Sequence, residues 1–173
     1  MEELKKYIRN IPDFPKKGIV FRDITTLLAN PDGMGLVISG LTKSLAKYNF
    51  DVICGIDARG FIFGALLANK YKKPFVPIRK KGKLPFETIS QSYQLEYGEA
   101  EVEIHKDAII AGQKVLIVDD LIATGGTAVA GVQLIRRLGG QVECCSFVIG
   151  LTELQGIVAL KELEINVEVL VSY

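Results

Sequence analysis

One stretch in the second half of the chain constrains the fold more than any other segment. Residues 115–128 read Val-Leu-Ile-Val-Asp-Asp-Leu-Ile-Ala-Thr-Gly-Gly-Thr-Ala. Four apolar residues that end in two adjacent acids are typical of a buried strand with the acids at its open end, because carboxylates are costly to bury. The Gly-Gly pair lets backbone N–H groups converge on an anion, and a following helix adds the positive end of its dipole. The stretch therefore predicts a strand, an anion-binding turn and a helix.

Apolar segments alternate with amphipathic ones along most of the chain. Buried strands are expected over residues 51–56, 74–78, 115–119, 142–149 and 167–171. Helices are expected after a turn at residues 31–33, with an apolar stripe from Val37 to Tyr48, and over residues 61–71, 128–138 and 156–163. This alternation predicts an α/β fold, an open, mostly parallel twisted sheet flanked by helices on both faces. Ligands of such sheets bind beyond the carboxyl ends of the strands, so the charged loops 57–60, 79–83 and 119–127 should gather at one rim.

Other segments have weaker patterns. Leu4, Ile8 and Ile11 share one helical face and predict a first helix closed by Pro12, followed by an irregular segment to residue 26. Residues 84–92 have no clean period and predict a long mobile loop. The alternation over residues 93–104 predicts a strand beside that loop.

Composition narrows the function classes. The 173 residues predict a single domain, and 21 basic against 20 acidic residues give a net charge of +1. That balance argues against a general nucleic-acid or membrane-surface binder. Three cysteines, two of them adjacent, show neither disulfide nor metal spacing and predict buried free thiols. A charged N-terminus and the lack of a long apolar run predict a cytoplasmic protein without a membrane span.

The segment from Asp119 to Thr127 resembles the phosphoribosyl pyrophosphate (PRPP) signature of the type I phosphoribosyltransferases. The resemblance implies that fold over residues 1–173, with a small hood at about 1–33 and a flexible loop at about 79–96. It also implies that Asp119 and Asp120 bind the ribose hydroxyls. The 5′-phosphate would be held by Ala123, Thr124, Gly125, Gly126 and Thr127. The alternative is another parallel-sheet protein, such as a response regulator, in which strand, acid and glycine turn also recur.

Cleavage of PRPP places positive charge on the sugar and negative charge on the departing pyrophosphate. Catalysis therefore needs carboxylates near the ribose and cations and backbone donors near the pyrophosphate. Arg59 is the candidate pyrophosphate ligand, and small Ala58 and Gly60 would let backbone amides approach the same anion. The resemblance implies a cis peptide bond after Asp57 or Ala58. It also implies Mg²⁺ as a cofactor, held by PRPP, pyrophosphate and water, with no direct protein ligand expected.

The basic run at residues 79–83 opens the predicted loop. Such a run is often only a solvated turn, but the family closes a flap over PRPP at this place, which would exclude water. Arg79 and Lys83 are therefore candidate pyrophosphate ligands. Which subunit's site Arg79 serves is left open.

Two further segments resemble the adenine-specific members of the family, Phe14–Thr25 and Ser92–Gly98. The resemblance implies adenine contacts by the main chain at Val20 and Arg22 and by the ring of Phe21. It gives Glu96 the handling of the purine proton, as a base or as a positioning group, beside Arg59, Asp119 and Asp120 in the catalytic set. It further implies a homodimer.

Two alternatives to an adenine-specific enzyme stay open. One is a phosphoribosyltransferase for a 6-oxopurine, for which a lysine donor such as Lys16 or Lys17 would serve. The other is a non-catalytic regulator that senses PRPP or nucleotides. The chain offers no additional DNA-binding segment for that role.

Overall fold

The computed structural model describes residues 1–94 and 98–173. Its strands fall into two sheets. They are β1 (Arg9–Pro12), β2 (Val20–Asp23), β3 (Val52–Ile56), β4 (Phe75–Lys80), β5 (Thr88–Gln94), β6 (Glu99–His105), β7 (Lys114–Ile122), β8 (Gln141–Gly150) and β9 (Asn166–Ser172). The main sheet has the order β5-β6-β4-β3-β7-β8-β9. Five neighbouring strands pair in parallel, in the order β4-β3-β7-β8-β9, while β6 joins β4 antiparallel and also pairs antiparallel with β5. The predicted mostly parallel sheet is confirmed.

Helices cover both faces of the main sheet, as predicted. They are α1 (Thr25–Leu28), α2 (Pro31–Leu45), α3 (Gly60–Tyr71), α4 (Gly126–Arg137) and α5 (Gly156–Glu162). Successive strand residues point to opposite faces. Ile53 and Leu116 therefore pack with α2 and α3, whereas Cys54 and Ile117 pack with α4 and α5. Burial on both faces explains why these strands are continuous apolar runs.

The N-terminal segment differs from its prediction. A short 3-10 helix ends at Tyr7, and the expected helix up to Pro12 is wrong. Ile11 lies instead in β1, opposite Phe21 in β2, within a separate two-stranded antiparallel sheet. The supposedly irregular residues 13–26 thus contain a strand and the start of α1. Leu4 and Ile8 are buried as expected, so the helical spacing of Ile11 was coincidental.

The edge of the sheet also corrects the sequence reading. The irregular loop predicted for residues 84–92 is wrong from Thr88 onward, because β5 begins there, and the predicted strand 93–104 is two strands of a hairpin. Strand β5 is only half-buried, and polar residues dominate it, so it lacks a clean apolar alternation. Its pairing with β6 along its whole length compensates for this. Within the flexible loop predicted at about 79–96, residues 79–80 and 88–94 therefore lie in strands.

Candidate active site

The phosphate-loop residues line one cavity at the rim of the sheet. This cavity has a volume of about 110 Å³, room for several water-sized groups. Its walls include Asp119, Phe147 and all five predicted phosphate residues, Ala123, Thr124, Gly125, Gly126 and Thr127. The first amides of α4 have no partner within the helix and point toward such a space. Together with the helix dipole, they make the cavity suited to a phosphate group.

Two glycines set the shape of this loop. Gly125 has a φ of 85°, which glycine adopts at little cost, and α4 begins at the next residue. Gly156, at the start of α5, packs directly under the loop and donates its N–H to the carbonyl of Ala123 at 3.0 Å. A Cβ on Gly156 would lie 2.4 Å from that carbonyl oxygen. Sequence reasoning missed Gly156. Its only signal is glycine at a helix start, where a polar cap is commoner.

The two acids lie inside strand β7, which extends beyond the predicted end at residue 119. Strand β3 pairs with β7 only as far as Val118, whereas β8 continues to Ile122, so at the two acids β7 no longer pairs with β3. Asp120 is buried, contrary to the expectation that both acids sit at an open strand end. Its backbone N–H donates to Oδ1 of Asp119 at 2.8 Å.

Electrostatics in this pair favour a neutralising ligand. Burial raises the pKa of Asp119 well above its ordinary value, and the neighbouring charge of Asp120 raises that pKa further. Burial also raises the pKa of Asp120, against the opposing effect of Arg59. Two adjacent carboxyl groups with raised pKa values are stabilised by hydrogen-bond donors, such as vicinal hydroxyls.

Residues 57–60 form a turn, the Arg59 corner, that contacts both acids. Arg59 reaches Asp120, and Gly60 packs against Asp119. Arg59 Nε lies 3.0 Å from Oδ2 of Asp120, and about two-fifths of the Arg59 side chain, 43%, is exposed. The peptide bond between Asp57 and Ala58 is cis, as the resemblance implied. Gly60 fits closely against β7, because a Cβ there would lie 2.6 Å from the carbonyl oxygen of Val118. The predicted loops 57–60 and 119–127 therefore meet, with Ala58 exposed at the rim.

Arg79 joins this group from the end of β4. Its Nε donates to Oδ2 of Asp57 at 3.1 Å, and its Nη1 donates to the carbonyl of Lys83 at 3.1 Å. Arg79 thus lies in a strand rather than in the predicted loop. All three loops that were predicted to gather at one rim do so.

The predicted adenine residues lie in the hood. Val20, Phe21 and Arg22 are on β2, and Phe21 packs edge-to-face against Phe14 with 5.3 Å between ring centroids. Arg22 stacks over the ring of Tyr173 at 3.9 Å. Asp23, at the end of β2 in the hood, interacts electrostatically with Arg59 at the rim. Hydrogen bonds from Thr25 chiefly lower the pKa of Asp23, and Arg9 and Arg59 lower it further.

Glu96 lies outside the described residues, so its role stays a prediction. Within residues 1–94 and 98–173, no group of three or more His, Cys, Asp or Glu side chains could hold a metal ion. In the same residues, no helix is long and apolar enough to cross a membrane.

Comparison with known proteins identifies the family. The phosphoribosyl transferase domain matches residues 23–166, and the chain belongs to this family. An adenine phosphoribosyltransferase of Cereibacter sphaeroides is 54% identical over 172 residues, which cover 99% of this chain and 97% of that protein. These matches narrow the family to its adenine phosphoribosyltransferase branch.

Solved structures agree with this assignment. The adenine phosphoribosyltransferase of Thermoanaerobacter pseudethanolicus superposes with a TM-score of 0.93 at 49% identity and 99% coverage of both chains. The Saccharomyces cerevisiae enzyme, complexed with adenine and D-2,5-dideoxy-2,5-imino-altritol 1,6-bisphosphate, gives a TM-score of 0.90 at 38% identity. That match covers 98% of this chain and 97% of the yeast chain.

Proposed function

We propose that this chain transfers the phosphoribosyl group of PRPP to adenine, producing AMP and pyrophosphate in purine salvage. One observation carries the proposal: the cavity at the start of α4 has Asp119 on its wall, and the Arg59–Asp120 pair adjoins it. A phosphate site, paired acids and a cation are the groups that PRPP requires. The yeast relative was solved with adenine and a bisphosphate, which supports both ligand classes.

In the proposed reaction, adenine N9 attacks C1′ of the ribose. The C1′–O bond to pyrophosphate breaks with its electron pair leaving on pyrophosphate, and the purine loses one proton. Asp119 and Asp120 bind the ribose hydroxyls and stabilise the positive charge that develops on the sugar. Ala123 to Thr127 hold the 5′-phosphate. Glu96 takes or steers the purine proton.

Pyrophosphate leaves beside the cations of the rim. Arg59, Arg79 and Lys83 contact it in this proposal, and the amides around Ala58 and Gly60 add donors. Ion pairs already hold Arg59 to Asp120 and Arg79 to Asp57, so both guanidinium groups are positioned before ligand arrives. Pre-positioned charges stabilise a transition state without reorganisation.

The proposal includes Mg²⁺ carried by oxygens of PRPP, pyrophosphate and water. Mg²⁺ commonly keeps several waters and is bound through substrate phosphates with one or two carboxylates. Asp119 and Asp120 fit that donor chemistry, through water. When bound, the ion neutralises charge on the pyrophosphate.

For the adenine site we propose the main chain of Val20 and Arg22 with the ring of Phe21. The hood supports this, because the exposed face of β2 carries Val20, and Phe14 braces Phe21 from the side. Adenine offers one donor and two acceptors that backbone groups can pair. A 6-oxopurine would need a protein donor at position 6, because its oxygen accepts a hydrogen bond where the amino group of adenine donates one.

A cytoplasmic homodimer completes the proposal. Three buried free thiols suit a reducing compartment. Ile62 and Leu66 are exposed on α3 one turn apart, next to the Arg59 corner, and suit contact with a second subunit. Analytical ultracentrifugation tests the assembly, and a monomer at micromolar concentration would reject it.

Pyrophosphate release tests the function. The protein is given PRPP and Mg²⁺ with adenine, hypoxanthine, guanine or xanthine in separate reactions. Release with adenine alone is expected. Release with a 6-oxopurine alone would keep the PRPP site and reject the acceptor, whereas PRPP binding without release would favour the regulator.

A further inference from the structure

A buried carboxylate lies beneath the proposed pyrophosphate ligands and has no role in the scheme above. Glu103 is in the middle of β6, opposite Arg79 of β4 on one side and Ser90 of β5 on the other. Only 4% of the residue is exposed. A buried charge requires compensating partners. Its partners therefore indicate what the carboxylate does.

Glu103 binds the segment that connects β4 to β5 at Lys83 and Leu84, and also binds the first residue of β5, Thr88. Its Oε1 accepts the backbone N–H groups of Lys83 and Leu84, each at 2.9 Å. Its Oε2 accepts the hydroxyl of Thr88 at 3.3 Å. Burial raises the pKa of Glu103, but the hydrogen bonds from this segment outweigh burial and lower it overall. The group is therefore an ionised anchor at neutral pH.

The anchored segment in turn holds Arg79. The carbonyl of Lys83 accepts from Nη1 of Arg79, while Asp57 accepts from Nε of the same side chain. The guanidinium is thus fixed from two sides, and one side depends on where Glu103 holds Lys83. Asp57 begins the loop that carries Arg59, so these contacts connect Glu103 to the Arg59 loop at the rim of the sheet.

We propose that Glu103 is a positioning residue for PRPP: it fixes the Lys83–Leu84 backbone so that Arg79 and Lys83 face the pyrophosphate. Glu103 contacts no substrate in this scheme and acts through these two residues. The inference rests on the proposed function, which supplies the pyrophosphate role of Arg79 and Lys83.

Glu103→Ala tests the proposal. The change leaves two backbone donors without their acceptor and removes one brace of Arg79. The KM for PRPP should rise about tenfold, as expected for loss of charge-assisted hydrogen bonds. The KM for adenine should change less than about twofold, because the hood does not depend on this anchor.

Glu103→Gln should restore most of the PRPP affinity. Its amide oxygen can still accept from Lys83 and Leu84, and the hydroxyl of Thr88 can reverse to accept from the amide nitrogen. Glu101→Ala is the matched control, since Glu101 lies on the same strand and pairs with the side chain of Lys81 instead of the backbone. That variant should leave the KM for PRPP unchanged.

The outcomes separate this proposal from a general structural role and from the proposed function. Equal rises in both KM values, or no rescue by glutamine, would overturn it. If Glu103→Ala does not fold, Thr88→Val removes only the second contact and should raise the KM for PRPP about two- to threefold. An unchanged KM there would also overturn the proposal. Wild-type protein that fails to release pyrophosphate would reject the proposed function instead.

Discussion

Gly156 offers the sharpest test of how the phosphate loop is held. In Gly156→Ala, the new Cβ would lie 2.4 Å from the carbonyl oxygen of Ala123 and 2.8 Å from the backbone nitrogen of Gly125. Both neighbours are backbone atoms, so no side-chain rotation can relieve the contact. Ordinary van der Waals contact begins at 3.4 Å, so the loop or α5 must move by about 1 Å.

A displacement of that size is large for a catalytic site. Misplacement of reacting groups by about 1 Å can cost about 100-fold in rate. We therefore expect kcat/KM for PRPP to fall about 100-fold, equivalent to about 2.7 kcal/mol. The KM for adenine should stay within about threefold, because the proposed adenine contacts on β2 belong to a separate sheet.

The assay is steady-state pyrophosphate release with PRPP varied at saturating adenine, and with adenine varied at saturating PRPP. Gly35→Ala is the control. Gly35 is exposed in α2 with no atom near its added Cβ, so alanine should leave the kinetics unchanged and stabilise by about 0.5–1 kcal/mol. A folded Gly156→Ala enzyme with the wild-type kcat/KM for PRPP would refute the reasoning.

The paired acids and Glu96, the proposed proton-handling residue, give three more predictions. Asp119→Asn should raise the Tm of the ligand-free protein more at pH 8 than at pH 4. The raised pKa of Asp119 means that its contribution is favourable at low pH and is lost as pH rises through the folded pKa; an equal Tm shift at both pH values would contradict this. Asp120→Asn should raise the KM for PRPP about 10- to 100-fold with adenine binding little changed, and equal losses would count against ribose binding. Glu96→Gln should lower kcat about 100-fold with PRPP affinity unchanged, and a wild-type kcat would remove Glu96 from the chemistry.

The sequence predicted the centre of the sheet because burial on both faces leaves a clear local pattern. Strands β3, β7 and β8 are apolar runs, and α2 and α4 have regular apolar stripes. The glycine at the end of α4, Gly139, adopts a φ of 84° as its stop signal requires. Such features depend on neighbours in the chain, so a single sequence contains them.

The margins of the sheet could not be predicted in this way. Strand β1 exists because Ile11 pairs with Phe21 ten residues away, and β5 exists because it pairs with β6. Neither strand has a distinctive period of its own. The end of β7 likewise depends on the length of β8, which is distant in sequence.

The residues of the candidate site show the same difference between local sequence patterns and long-range contacts. The cavity residues from Ala123 to Thr127 are contiguous, so one motif indicated them all. Gly156 and Glu103 come from distant segments. Gly156 matters because it has no side chain to clash with the loop, and Glu103 matters because it binds backbone N–H groups. Apart from glycine at a helix start, no local pattern marks these two residues, and the three-dimensional arrangement reveals their contacts.

The junction between β4 and β6 has a mechanical consequence. Strand register joins the two through Arg79 with Glu103 and Lys80 with Val102, and the N–H of Lys81 donates to the carbonyl of Glu101 just beyond. The β5–β6 pair is therefore joined to the parallel sheet along a short seam, and α4 supports it from the side, where Nη1 of Arg137 donates to the carbonyl of Ser90 at 2.7 Å. Arg79 both pairs with β6 at this junction and is a proposed ligand of the leaving pyrophosphate. A shift of β6 at this seam would therefore move the guanidinium group that we propose as a pyrophosphate ligand.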